Sequence, residues 1–206
     1  MKEILIIDYK INNTGSMVNA IKHLGYKPIV SDKPSDILKS TNIILPGVGA
    51  FKSAMKIIKD RKIDINIKKS LEKNNTKLLG ICLGMQLLCL SSTEFGFTKG
   101  LKLIGAEVVE WKNLKKDLFD IHIGFNSVKF DKNMKLFKGL KDNSDFYFVH
   151  SYYVNPSCKI KGKIGYSNYN NKFISSFEKN NIFATQFHPE KSHENGLKIL
   201  KNFCEL

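Results

Sequence analysis

The first half of the chain alternates short apolar runs with amphipathic segments. Residues 4–7 form a continuous apolar run within a strand predicted over 2–8, as expected for a parallel sheet covered on both faces. Residues 16–24 then carry apolar side chains at helical spacing, and Gly25 follows as a predicted C-cap. The alternation continues, with strands predicted at 27–30, 42–45 and 78–81 and helices at 34–39, 51–58, 63–73 and 85–90.

From about residue 105 the pattern changes to strand-like segments separated by turn residues. We predict strands at 107–111, 127–130, 146–153, 163–169, 173–178 and 182–186 and a closing helix at 196–203. No repeat or low-complexity linker divides the two halves. The sequence therefore predicts a single domain over residues 1–206 with an α/β fold: a doubly wound, mostly parallel central sheet with flanking helices and an added antiparallel portion.

Composition argues against several other classes of protein. The 206 residues are 42% hydrophobic, enough for a real core, but no apolar run is long enough to span a bilayer and the N-terminus lacks a cleavage site, so we expect a cytoplasmic protein without a membrane partner. The four cysteines form no CxxC pair, which favours reduced thiols and no metal. The net charge of +14 comes almost entirely from dispersed lysines, with Arg61 as the single arginine, so we expect no nucleic-acid partner.

A cysteine between two glycines ends one of the predicted parallel strands. The segment GICLG passes directly from that strand into a helix, and such a turn exposes Cys82 at the carboxyl end of the sheet. Gly80 and Gly84 let neighbouring backbone approach without a Cβ clash. The N–H of Leu83, at the start of the helix, favours a thiolate and can hold an oxyanion. Taken alone, the segment fits a nucleophile or a small buried cysteine.

A histidine and a glutamate follow the last predicted strand, in the segment QFHPE. Residues two apart in an extended segment project to the same face, so His188 and Glu190 can point the same way. This pair suits a base that takes the proton of Cys82 and a carboxylate that fixes its tautomer. A lone histidine near a strand end is more often structural, but the Cys82 turn in the same chain favours the catalytic interpretation.

A glycine-rich turn, PGVG, ends another predicted parallel strand. It lacks the lysine of a phosphate-binding loop, so it is either a plain turn or a second source of oxyanion-binding N–H groups at the same sheet edge as Cys82.

With PGVG, GICLGMQ and QFHPEKS in this order, the whole chain resembles the class I glutamine amidotransferases, which release ammonia from glutamine through a cysteinyl thioester. Residues 141–153, KDNSDFYFVHSYY, make it similar to the glutaminase subunits of imidazole glycerol phosphate synthases. The resemblance implies L-glutamine as substrate and, as heterodimer partner, a (β/α)8-barrel cyclase that uses the ammonia on a ribulosyl nucleotide. We expect neither a cofactor nor a metal.

The resemblance also implies roles for individual residues. Those that match the family's catalytic triad are Cys82, His188 and Glu190. Those that match its oxyanion hole are Gly47, Val48, Gly49 and Leu83. Those that match its glutamine-binding positions are Gln86, Ser151 and Tyr152. Those assigned to the face that docks on the cyclase are Asn13, Phe125, Tyr147 and Lys191.

Two segments depart from the family pattern. Residues 10–15, KINNTG, lack two glycines and an arginine that are usual there, and residues 121–126, IHIGFN, replace PHMGWN. Both are expected on the partner side, so two acceptors stay open: the histidine-pathway nucleotide, or a sugar aminated for surface polysaccharide. A non-catalytic binding module and a cysteine hydrolase are alternatives of another class, against which the intact triad and the glutamine-binding matches argue.

Overall fold

The computed structural model describes residues 1–11, 14–73, 75–111, 121–155, 160–169 and 171–206. The helices are α1 (Gly15–His23), α2 (Pro34–Lys39), α3 (Phe51–Asp60), α4 (Ile63–Leu71), α5 (Leu83–Leu87) and α6 (His193–Glu205). The strands are β1 (Glu3–Ile7), β2 (Lys27–Ser31), β3 (Asn42–Leu45), β4 (Lys77–Ile81), β5 (Ser91–Ser92), β6 (Thr98–Lys99), β7 (Glu107–Glu110), β8 (His122–Val128), β9 (Ser144–His150), β10 (Tyr152–Val154), β11 (Lys163–Asn168), β12 (Lys172–Lys179) and β13 (Ile182–Thr185). No helix in these ranges is long and apolar enough to cross a membrane.

Most of the strands form one mixed sheet in the order β2-β1-β3-β4-β13-β12-β10-β7-β5-β6, with β11 paired to β12. The five strands from β2 to β13 in this order run parallel to one another. Strands β12, β11 and β10 add antiparallel pairings, and β8 and β9 form a separate antiparallel ribbon. The predicted fold class is confirmed; a single domain over residues 1–206 stays a prediction.

The parallel strands are apolar on both faces because both faces are covered. In β1, Leu5 and Ile7 belong to one core, which they share with helices α3 and α4. Ile4 and Ile6 belong to the other core, which they share with α1, α6 and the β8–β9 ribbon. Alternate residues of a strand point to opposite faces, so a continuous apolar run is the pattern that such a strand requires.

The element predictions were wrong at two places in the second half. The strand predicted at 146–153 is two strands, because the chain leaves the ribbon after His150 and joins the main sheet at Tyr152. Strand β8 begins at His122, five residues before the predicted start. Its exposure is the reverse of what polarity would suggest, because the apolar Ile123 and Phe125 are exposed while the polar His122 is buried. An alternating pattern gives the period of a strand but does not say which sheet the strand joins.

Candidate active site

Three neighbouring parallel strands deliver the predicted catalytic segments to one edge of the sheet. Strand β3 leads into the turn at 46–50, β4 leads into Cys82, and β13 leads towards His188. The N–H of Cys82 donates to the carbonyl of Thr185 at 2.7 Å, which joins the ends of β4 and β13. The carboxyl ends of parallel strands are the usual place for a ligand site in such a fold.

The turn at Cys82 is strained, as predicted from its glycines. Cys82 has φ 53° and ψ −111°, a conformation that residues with a Cβ rarely adopt. A Cβ on Gly84 would overlap the carbonyl of Leu45, and a Cβ on Gly80 would lie 2.9 Å from the carbonyl carbon of Gly84. The two glycines therefore let α5 begin directly against β3 and β4.

His188 and Glu190 form a hydrogen-bonded pair, with 2.8 Å between Nδ1 and Oε1. The predicted reason for their pairing was wrong, because the chain is not extended there: Pro189–Lys191 is a turn of 3₁₀-helix, which brings the carboxylate back to the imidazole. The hydroxyl of Ser192 donates to the carbonyl of His188 at 2.6 Å and so fixes the turn. Both members of the pair have little solvent access.

Cys82 and His188 are coupled electrostatically. Burial alone lowers the pKa of His188, but the adjacent Cys82 and Glu190 raise it, to about 10. The thiol of Cys82 donates to the carbonyl of Val149 at 3.8 Å, and within the described residues Nε2 of His188 has no hydrogen-bond partner. The arrangement favours the protonated form of His188, and leaves one imidazole nitrogen available for proton transfer.

The glycine-rich turn is anchored at one end and exposed at the other. The hydroxyl of Tyr9 donates to the carbonyl of Pro46 at 3.0 Å, and a Cβ on Gly47 would lie 2.8 Å from the Cβ of Leu83. Val48 is 38% exposed, and Gly49, with φ 102°, follows it. The close packing of Gly47 on Leu83 brings the two predicted sources of oxyanion-binding N–H groups together.

A cleft of about 620 Å³ lies over Cys82. Its lining contains the predicted residues Val48, Gly49, Leu83, Gln86, Ser151 and Tyr152. Ser151 is the residue between β9 and β10, so the break that the sequence did not predict is part of the cleft. The amide of Gln86 donates to the carbonyl of Tyr152 at 2.8 Å, which joins the two sides of the cleft.

The site residues that the sequence analysis missed include Glu94 and Gln186. Glu94 lines the cleft and accepts a hydrogen bond from the N–H of Phe51 at 2.6 Å; burial raises its pKa, against that hydrogen bond. The segment around it, SSTEFG, has no spacing that would have singled it out. Gln186 is fully buried and donates to the sulfur of Cys82 at 3.7 Å. Its position two residues before His188 was the available signal.

Three of the residues predicted to dock on a partner lie together. Phe125 and Tyr147 are cross-strand partners in the β8–β9 ribbon, with ring centroids 5.6 Å apart, and Nζ of Lys191 lies 5.8 Å from the Tyr147 ring. Asn13 lies outside the described residues. The carbonyl of Tyr147 also accepts a hydrogen bond from the N–H of His188 at 2.9 Å, so this surface contacts the candidate catalytic base.

The fold and the Cys–His–Glu arrangement are typical of one class of protein: α/β enzymes in which a cysteine on a strand-to-helix turn transfers acyl groups. The family described as Glutamine amidotransferase class-I matches residues 5–206. The chain is 46% identical to "Imidazole glycerol phosphate synthase subunit HisH 2" of Methanococcus maripaludis, over 98% of both chains. It is 41% identical to "Imidazole glycerol phosphate synthase subunit HisH 1" of Campylobacter jejuni (strain RM1221), over 98% of this chain and 100% of that one.

Solved structures agree on the fold. PurLQS from Thermotoga maritima superposes with a TM-score of 0.72 at 17% identity, over 99% of this chain and 98% of that one. A structure described as glutamine amidotransferase superposes with a TM-score of 0.73 at 16% identity, over 98% of this chain and 100% of that one. The chain belongs to the class I glutamine amidotransferase family.

Proposed function

We propose that the chain is the glutaminase subunit of an imidazole glycerol phosphate synthase and hydrolyses L-glutamine to glutamate and ammonia. The observation that carries the proposal is the hydrogen-bonded His188–Glu190 pair coupled to Cys82 on its strained turn. The names of the relatives from Methanococcus maripaludis and Campylobacter jejuni support the choice of synthase over a sugar-aminating paralogue. A cytoplasmic location fits this role and stays a prediction.

In the proposed reaction the Cys82 thiolate attacks the side-chain amide carbon of glutamine, and a carbon–sulfur bond forms. The imidazolium of His188, held by Glu190, protonates the amide nitrogen; the carbon–nitrogen bond breaks and ammonia leaves. Neutral His188 then takes a proton from water, which attacks the thioester and releases glutamate and the thiolate. The N–H groups of Leu83 and of residues 47–49 hold the oxyanion at both stages.

The lining of the cleft supports an amino acid as substrate. Glu94 and Glu110 supply negative charge for the α-ammonium group of glutamine. The backbone at Ser151 and Tyr152 and the side chain of Gln86 supply polar groups for the rest of the molecule.

The proposed partner is a (β/α)8-barrel cyclase, to which the ammonia passes for the synthesis of imidazole glycerol phosphate and an aminoimidazole carboxamide ribotide; the complex would thereby also act as a lyase. The ribbon offers it an apolar face, because Ile123 and Phe125 are 61% and 51% exposed. Lys191 beside this face, and the net charge of +14, suit an acidic rim on the barrel.

The test is a glutaminase assay on the complex with the barrel from the same genome, with and without the ribulosyl nucleotide. We expect the barrel and nucleotide together to stimulate ammonia release well above that of the lone chain. Cys82→Ala should abolish the release, whereas Cys89→Ala, at another buried cysteine, should retain it. Activity that survives Cys82→Ala would refute the nucleophile, and stimulation by a sugar-pathway barrel alone would refute the acceptor.

A further inference from the structure

A continuous chain of side-chain hydrogen bonds leads away from Cys82. Nε2 of Gln186 donates to its sulfur at 3.7 Å, and Oε1 of Gln186 accepts from Nε2 of Gln86 at 3.1 Å. The second N–H of that Gln86 nitrogen donates to the carbonyl of Tyr152 at 2.8 Å. The same carbonyl accepts a second hydrogen bond, from Nδ1 of His150 at 2.8 Å.

The chain then passes through a pair of buried histidines to strand β8. Nε2 of His150 lies 3.1 Å from Nδ1 of His122, and Nε2 of His122 lies 3.2 Å from Nδ2 of Asn126. Nδ2 of Asn126 also donates to the carbonyl of Asn168 at 2.8 Å, and its Oδ1 accepts from the N–H of Ser127. Both histidines are more than nine-tenths buried.

Neighbouring groups fix each donor and acceptor in this chain. A carbonyl only accepts, so His150 carries a proton on Nδ1; an amide nitrogen only donates, so His122 accepts at Nε2 from Nδ2 of Asn126. His122 must then carry its proton on Nδ1 and donate it to Nε2 of His150. Both imidazoles are therefore neutral, which agrees with the effect of burial: it lowers the pKa of His122 to about 4 and, with the proximity of His122, that of His150 to about 3.

The chain of hydrogen bonds connects two regions on which the proposed reaction depends. One end contacts the sulfur of Cys82 and the Tyr152 segment that lines the glutamine cleft. The other end lies on the inner face of β8, whose outer residues Ile123 and Phe125 form the exposed apolar face. Because residues alternate along a strand, β8 carries the polar chain on one face and the proposed docking surface on the other.

We propose that Gln186, His150 and His122 are positioning residues, which hold the Cys82 sulfur and the Tyr152 segment in their reactive arrangement from the inner face of β8. The proposal rests on the proposed glutaminase function. The competing explanation is packing alone, because the His122 ring stacks on Phe148 and Tyr169 with centroids 4.7 and 4.3 Å apart. A phenylalanine would satisfy that packing, but only a polar side chain completes the chain of hydrogen bonds.

Two substitutions of His122 separate these explanations. His122→Phe keeps a ring for the stack and removes both hydrogen bonds. His122→Asn loses the ring but places an amide N–H where Nδ1 donated to His150. The readouts are KM and kcat for glutamine in the complex with the barrel, and the Tm of each full-length variant. His23→Phe, at an exposed position on α1, is the control for a substitution remote from the chain of hydrogen bonds.

We expect KM and Tm to rank the two variants in opposite order. His122→Phe should raise KM about tenfold, because a buried hydrogen bond that holds the Tyr152 segment is lost. His122→Asn should change KM less but lower Tm more, because the missing ring leaves a cavity. At the Cys82 end of the chain of hydrogen bonds, Gln186→Met should lower kcat about tenfold and change KM less, because it removes the donor to the sulfur.

The opposite results would overturn the proposal. If His122→Asn raises KM more than His122→Phe, the ring acts through packing alone. If His122→Phe and Gln186→Met both keep the wild-type KM and kcat, the chain does not position the site. A wild-type complex without glutaminase activity, or an active Cys82→Ala complex, would instead refute the proposed function, so the two failures are distinguishable.

Discussion

The two walls of the cleft are built in different ways. The parallel wall, from the ends of β3 and β4, consists of Val48, Gly49, Cys82, Leu83 and Gln86. The antiparallel wall consists of Ile123, Val149, His150, Ser151 and Tyr152, and the acidic residues Glu94 and Glu110 also line the cleft. Residues of the first wall come from two short segments at strand ends, whereas those of the second come from strands that are distant in sequence and belong to two different sheets.

This difference predicts a division between chemistry and recognition, apart from Gln86, which joins the two walls. On the parallel wall, the position of the sulfur follows from local backbone geometry: the positive φ of Cys82 and two glycines that admit no Cβ. On the antiparallel wall, the position of Tyr152 follows from hydrogen bonds to His150 and Gln86. We therefore expect changes near the parallel wall to act on kcat or on folding, and changes in the antiparallel wall to act on KM and on pH dependence.

The largest effect is expected for Glu190→Gln, which tests whether the pair beside the parallel wall carries the chemistry. The amide preserves the shape but removes the charge that supports the His188 imidazolium, so kcat should fall about 10³-fold with a smaller change in KM. Because Glu190 raises the pKa of His188, the alkaline limb of the kcat profile should also move to lower pH. Glu194→Gln, at an exposed position on α6, is the control; an equal loss there, or an unchanged kcat, would contradict the assignment.

Gly84→Ala tests the backbone side of the same wall. The new Cβ would overlap the carbonyl of Leu45, so the start of α5 must move away from β3. We expect a loss of about 3 kcal/mol in the free energy of unfolding, measured by denaturant titration. Gly105→Ala is the matched control, because a Cβ there meets nothing within 4 Å. Equal stabilities for the two variants would show that the close approach at Gly84 is not required.

The features that the sequence predicted, and those that it did not, follow the same division between the two walls. The turn at Gly80, Cys82 and Gly84 was predicted because its two glycines, which lack a Cβ, are visible in the sequence itself. The break at Ser151 and the role of Glu94 were not, because they depend on which sheet a strand joins and on how distant segments meet. The pairing of His188 with Glu190 was predicted from the wrong local structure, since a spacing of two residues does not distinguish an extended segment from the 3₁₀ turn found there. The catalytic and binding roles themselves stay predictions.

The buried histidines should make the antiparallel side sensitive to acid. Burial holds the pKa of His122 at about 4, against about 6.5 in the unfolded chain. The contribution of His122 to folding stability is therefore fully present above about pH 6.5 and is lost as the pH falls towards 4, because the unfolded chain takes up a proton that the folded protein excludes. His122 should account for about 2 kcal/mol of that loss between pH 7 and pH 5.

His122→Phe removes this titration, and the measurement is the free energy of unfolding at pH 7 and pH 5 for the variant and the wild type. The variant should lose about 2 kcal/mol less than the wild type over this interval. His23→Phe, which changes an exposed histidine outside the hydrogen-bond chain, is the control. If the free energy of unfolding of His122→Phe and of the wild type fell equally between pH 7 and pH 5, His122 would accept a proton in the folded protein without cost.

The smallest effect is expected for Glu94→Gln, which tests whether the acidic residues of the cleft recognise the substrate. Glutamine at this position still accepts the hydrogen bond from the N–H of Phe51, so the local structure is preserved while the charge is lost. KM for glutamine should rise about tenfold with little change in kcat, the value expected when one charge-assisted contact to an ammonium group is lost. Glu107→Gln, at an exposed position on β7, should leave both constants unchanged. A fall in kcat at constant KM would instead mean that Glu94 acts on the sulfur side, and the division of the cleft into a chemical wall and a recognition wall would be wrong at this residue.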